Sequence, residues 1–164
     1  MTTQTPEIPS RPTPPRLAKE LVKSSGFLLA KLGMGFKAKA IARLEEAGYD
    51  PYHYSVLAIL GEGARETQAM IADTLALDPS RLVALLDSLE ERELVERQRD
   101  PDDRRRHVVT ITDAGKRELS RLRVIVKEVE DEFLAPLDPQ SRKAFHETLQ
   151  QLACHHDPRC AFRS

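Results

Sequence analysis

The sequence predicts a mainly α-helical fold interrupted by one small β-hairpin, and three observations predict it. Apolar residues recur at three- and four-residue intervals along most of the chain, which is the period of a helix that buries one face. Two runs, Leu94-Val95-Glu96-Arg97 and Val108-Val109-Thr110-Ile111-Thr112, break that rhythm with β-branched residues and flank a turn-forming Asp100-Pro101-Asp102-Asp103. The length, 164 residues with 40% hydrophobic residues, suits one domain with a sizeable core.

Residues 1–15 carry Pro6, Pro9, Pro12, Pro14 and Pro15 among polar residues, and read as a disordered tail because proline lacks the N–H that helices and ladders need. Residues 16–48 form an N-terminal helical segment through Leu17, Leu21, Leu28, Leu32, Ile41 and Leu44, with a bend expected at Gly33 and Gly35. Gly48 and Pro51 break it before a short helix from Tyr52 to Leu60.

Within residues 49–112, Thr67-Gln68-Ala69-Met70-Ile71-Ala72 opens a helix, and the chain turns at Leu75 to Asp78 into a second one. Asp78 is placed to cap that second helix, and Pro79 fits the first helical position, where its missing N–H costs nothing. Leu82, Leu85, Leu86 and Leu89 make its buried stripe, leaving Ser80, Arg81, Ala84 and Ser88 outward. The hairpin follows directly, with Arg104, Arg105 and Arg106 at its tip and Arg97 and Arg99 on the first strand. Helix, turn, helix, then hairpin is the order of a winged helix-turn-helix that reads duplex DNA.

Thr112 and Asp113 suit the start of the next helix, and residues 113–153 continue with Leu119, Leu122, Val126, Val129 and Phe133 until Pro136 stops the run. A last helix begins at Asp138-Pro139 and carries Phe145, Leu149 and Leu152. The flanking helices have little else to pack on, so Leu119, Leu122, Val126, Val129 and Phe133 are expected to hold a homodimer together.

The order and spacing from Glu66 to Gly115, with the wing string Asp103-Arg104-Arg105 followed by Ile111-Thr112-x-x-Gly115, resemble the MarR family of transcriptional regulators. The resemblance implies a dimer, and it implies that Asp103 orders the wing while Arg104 or Arg105 enters the minor groove. It also implies a small-ligand site, often for phenolic or aromatic acids, between the dimerisation helices and the winged domain. Tyr52 and His53 are the candidates there, since each offers an apolar body with a polar tip. Two positions depart from the pattern: Glu93 and Ala76 stand where relatives commonly place glycine.

Net charge is −1, so nucleic-acid binding must rest on a local patch rather than a basic chain. No apolar run suggests a membrane span or secretory signal, and a cytoplasmic protein is expected. There is no phosphate-binding glycine loop, nucleophile elbow or metalloprotease helix, hence no enzyme and no cofactor is expected. Cys154, His155, His156 and Cys160 fall in residues 154–164, read as a solvated tail, because adjacent histidines do not readily turn to one tetrahedral ion. The competing readings are a winged-helix architectural or protein-interaction module, and a thiol- or metal-responsive regulator.

Overall fold

Side-chain caps set most of the helix starts in the computed structural model, which describes residues 16–62, 66–100 and 107–160. The chain divides into two compact units, residues 1–35 and 36–164. In the first, helix α1 (Lys19–Lys23) ends at Ser24, whose Oγ accepts the Phe27 N–H at 3.2 Å and opens α2 (Ser25–Glu46). The helical run is interrupted at Ser24 rather than at Gly33 or Gly35. α2 runs through both glycines, and at Ser24 a hydroxyl competes for a backbone donor.

In the second unit α2 ends before Gly48, at φ 83. Asp50 then accepts the Tyr52 N–H at 2.7 Å, while His53 Nδ1 accepts the Asp50 N–H at 3.2 Å. This reciprocal capping box starts α3 (Pro51–Gly61), with histidine in the place usually taken by Glu or Gln. There follow β1 (Glu66–Thr67), α4 (Gln68–Leu75), α5 (Pro79–Glu91), β2 (Val95–Arg99), β3 (His107–Ile111), α6 (Asp113–Phe133) and α7 (Pro139–His156). Asp78 and Thr112 cap α5 and α6 as the sequence predicts, and Asp138 caps α7.

The three strands form an antiparallel sheet in the order β1-β3-β2, with Val95 opposite Ile111, Arg99 opposite His107, and Glu66 opposite Val109. β1 is absent from the sequence reading, because two residues show no periodicity. The proline-rich tail and the wing tip lie outside the described residues. α7 continues to His156, and a 3-10 turn spans Pro158–Cys160, so the expected tail begins later than residue 154. Among the described residues no helix is long and apolar enough to cross a membrane, and no group of three or more His, Cys, Asp or Glu is arranged to hold a metal ion.

The core joins Val56, Leu57 and Leu60 of α3 to Ile71 of α4, Leu82, Leu86 and Leu89 of α5, Val95 and Val109 of the sheet, and Leu119 and Leu122 of α6. α6 comes very close here: a Cβ on Gly115 would lie 2.1 Å from the Leu94 carbonyl oxygen, so no larger residue fits. Several of the residues expected at a dimer seam take part in this packing. Leu119, Leu122 and Val129 are buried within the single chain, and Val126 is half-buried against the same core. Phe133 meets the edge of the Phe36 ring at 5.6 Å.

Candidate nucleic-acid interface

The outward face of α5 is set by its buried one. With Leu82, Leu85, Leu86 and Leu89 turned into the core, helical spacing puts Ser80, Val83, Ala84 and Asp87 on the opposite side, and all four are exposed. Ser80 and Ala84 lie where the sequence places them, while Ser88 is half-buried on one flank. Val83 was missed: it sits next to the leucine stripe in sequence and reads as core, yet it is 41% exposed.

Arg81 departs from expectation. Its side chain is exposed, but its guanidinium lies 4.5 Å from the centre of the Tyr52 ring and 4.0 Å from an Asp50 carboxylate oxygen. It therefore lies along the start of α3 on the same flank as Ser88, rather than straight out from the helix.

The wing is fastened to α5 by Arg97. Its backbone N–H and guanidinium donate to the Glu90 carboxylate, and one guanidinium nitrogen lies 2.6 Å from Asp87. Arg97 holds the Glu90 carboxyl below the usual range by hydrogen bonding, and its own guanidinium is pushed up in return. In sequence Arg97 reads as one more wing cation. In the structure it is a strut, and its charge is used on two acids of the helix. Gln68, Val83, Glu90, Arg97 and His107 line the open groove between α5 and the wing. His107 is exposed, as is Arg99, its partner across the sheet. The expected minor-groove residues Asp103, Arg104 and Arg105 lie outside the described residues.

Tyr52 belongs to the junction that holds both ends of α5, and His53 caps α3 beside it. Tyr52 lies under Arg81 at the start of α5. At its far end, Arg92 donates to the Gly48 carbonyl at 3.0 Å and its guanidinium lies 4.7 Å from the Tyr49 ring centre. His53 is buried; its Nδ1 serves the capping box and its Nε2 has no partner. Burial lowers its pKa; Asp50 opposes that shift and Arg92 adds to it. Tyr52 is thus a prop for Arg81 and His53 a cap.

Residues 47–106 match the family model for the MarR family. The chain is 31% identical to a MarR-family transcriptional regulator from Rhodococcus sp. RHA1, covering 83% of this chain and 96% of that one at a TM-score of 0.70. It is 30% identical to the transcriptional repressor CouR bound to a 23-mer DNA duplex, over 85% of this chain and 99% of that one, at a TM-score of 0.71. Against CouR from Rhodococcus jostii RHA1 bound to p-coumaroyl-CoA, identity is 28%, coverage 83% and 96%, and the TM-score 0.66. The transcriptional regulator HosA of Escherichia coli O111:H- is 26% identical over 99 residues, 60% of this chain and 73% of its own. The helix-turn-helix, the sheet that follows it and these likenesses lead to one conclusion: the chain belongs to the MarR family of DNA-binding transcriptional regulators.

Proposed function

We propose that the protein is a dimeric repressor that binds a pseudo-palindromic operator and is released by a small aromatic effector. The observation that carries the DNA reading is the Arg97 strut, which fixes wing and recognition helix as one unit while leaving Ser80, Val83 and Ala84 exposed. In this reading the first two turns of α5 enter the major groove with Ser80 and Ala84 toward base edges. Arg81 and Ser88 sit on the flank toward the phosphates. Asp103 orders the wing, and Arg104 and Arg105 reach the minor groove, where a narrow A·T-rich segment concentrates negative potential.

An architectural role without sequence preference is less well supported. Arg81 is the only cation between Glu66 and Glu91, so backbone attraction outside the wing has little to rest on. Repression is favoured by the likeness to CouR, and an aromatic acyl effector by the p-coumaroyl-CoA that CouR binds. Tyr52 and His53 are the proposed effector contacts, because a ligand engaging Tyr52 competes with Arg81 for the ring and so shifts the start of α5.

Selection of bound duplexes from fragmented genomic DNA tests the reading directly. A palindrome should be enriched, and alanine at Arg104 or Arg105 should weaken operator and random duplex alike and flatten the salt dependence. If no sequence is enriched and the wing variants bind like wild type at every salt concentration, the regulator reading fails. Aromatic acids and their coenzyme A thioesters should release the operator, and Tyr52→Ala should blunt that release with little change in ligand-free affinity.

A further inference from the structure

We infer that the recognition helix specifies its site chiefly by packing Val83 and Ala84 against thymine methyl groups, rather than by an arginine–guanine contact. This deepens the DNA-binding reading above and rests on it. α5 offers a short inventory to a major groove. Its one cation, Arg81, lies over Tyr52 with its guanidinium facing Asp50. Its one outward carboxylate in the first three turns, Asp87, is 2.6 Å from an Arg97 guanidinium nitrogen, so it is already paired. What remains at the surface is the Ser80 hydroxyl, the Ala84 methyl and the Val83 isopropyl group.

Single exposed hydrophobic residues are common, so exposure alone decides nothing. Position does. Among the leucines and valines of α5, Val83 alone is exposed, at 41%, whereas Leu82, Leu85, Leu86 and Leu89 are at most 7% exposed. It stands in the half of the helix that meets base edges, on the wall of the groove facing Gln68, Arg97 and His107. A β-branched side chain in a helix keeps essentially one χ1 rotamer, so the isopropyl group is presented without an entropy cost on binding. The major-groove feature that an apolar group reads is the C5-methyl of thymine; guanine, adenine and cytosine present hydrogen-bonding atoms that Val83 and Ala84 cannot satisfy. The Ser80 hydroxyl donates or accepts, so it tolerates several bases and adds little discrimination.

The test uses the full-length protein and a random duplex library. The best-bound duplex is resynthesised with deoxyuridine in place of thymidine at one symmetric pair of positions at a time, which removes only the methyl groups. At one or two pairs the loss should be about four-fold per half-site, the worth of one buried methyl group. At the pair of positions that Val83 meets, Val83→Ser should bind the thymine and uracil duplexes equally and Val83→Ala should show an intermediate ratio, while any pair met by Ala84 keeps its difference. Arg81→Ala should weaken all duplexes alike without changing the preferred base at any position. Circular dichroism must show each variant folded, which an exposed site permits. If a duplex is selected but deoxyuridine is silent throughout, or if Arg81→Ala abolishes preference for a guanine, the inference is overturned while the regulator reading stands. If no sequence is enriched at all, both are overturned together.

Discussion

Glu93 and Ala76 adopt left-handed backbone, at φ 60 and 50, one closing α5 and the other closing α4. A side chain there costs on the order of 1–2 kcal/mol, because Cβ crowds the following carbonyl. Glycine removes that strain and returns part of the gain, about 0.5–1 kcal/mol, as backbone entropy. Glu93→Gly should therefore raise thermal stability by up to about 1 kcal/mol, a few degrees in Tm, as read by calorimetry. Gly115→Ala is the opposite case at the same junction. Its new methyl must displace the Leu94 carbonyl, so a loss of about 1–3 kcal/mol is expected. Equal melting temperatures for both variants and wild type would refute this account. Gly115 is legible in the sequence as the end of the Ile111-Thr112-x-x-Gly115 string, and Glu93 and Ala76 as departures from glycine. The reason for the string is visible only in three dimensions: Thr112 Oγ1 donates to the Glu93 carbonyl at 2.7 Å and accepts the Gly115 N–H at 2.9 Å. One hydroxyl thereby ties the end of the recognition helix to the start of α6.

At the scale of elements, a clamp on α5 and a cap on α3 each have their own pH signature. Arg97 lowers the Glu90 pKa, so the clamp's contribution is complete above the ordinary glutamate value, about 4.3, and is lost as pH falls through the lower folded value. Protection factors of the β2 and β3 amides, taken against the intrinsic exchange rate at each pH, should therefore be high at neutral pH and fall in acid. Arg97→Ala should bring the acidic behaviour to neutral pH and weaken binding to operator and random duplex alike. His53 works at milder pH. Burial lowers its pKa, so the folded state favours the neutral ring; stability is full above about 6.5 and falls as pH drops from there toward the folded value. His53→Gln keeps a capping side chain at that position and removes the titration. Its melting temperature should be flatter than wild type between pH 7 and 5, and a parallel decline in the two proteins would sink the assignment. The Asp50-x-x-His53 cap goes unread in the sequence because histidine stands where a capping box usually has Glu or Gln. The Arg97 clamp was not readable, since its acids lie on another element and meet it only once β2 packs beside α5.

At the scale of the molecule, the question is which surface a second copy would cover. Helical period announces that a face is apolar but not what meets it, so the α6 stripe reads equally well as dimer seam or as core. Leu119, Leu122 and Val129 are buried within the chain itself, while other apolar side chains are exposed: Leu28, Leu29 and Leu32 on α2, and Phe145 and Leu152 on α7. Runs of exposed leucine at these spacings are what an intertwined pair of subunits would bury. The wild type should sediment as a dimer at micromolar concentration. A Leu29→Glu and Leu32→Glu double variant, or Leu152→Glu alone, should sediment as a folded monomer with unchanged helix content. Such a monomer should lose most operator affinity, since one half-site is then held without its partner. Val126→Asp is the control that separates core from seam. Val126 packs against the monomer's own core, so a charge there should unfold the winged domain rather than split a dimer. A monomeric but well-folded Val126→Asp, alongside glutamate variants that stay dimeric, would reverse the assignment and return the α6 stripe to the subunit interface.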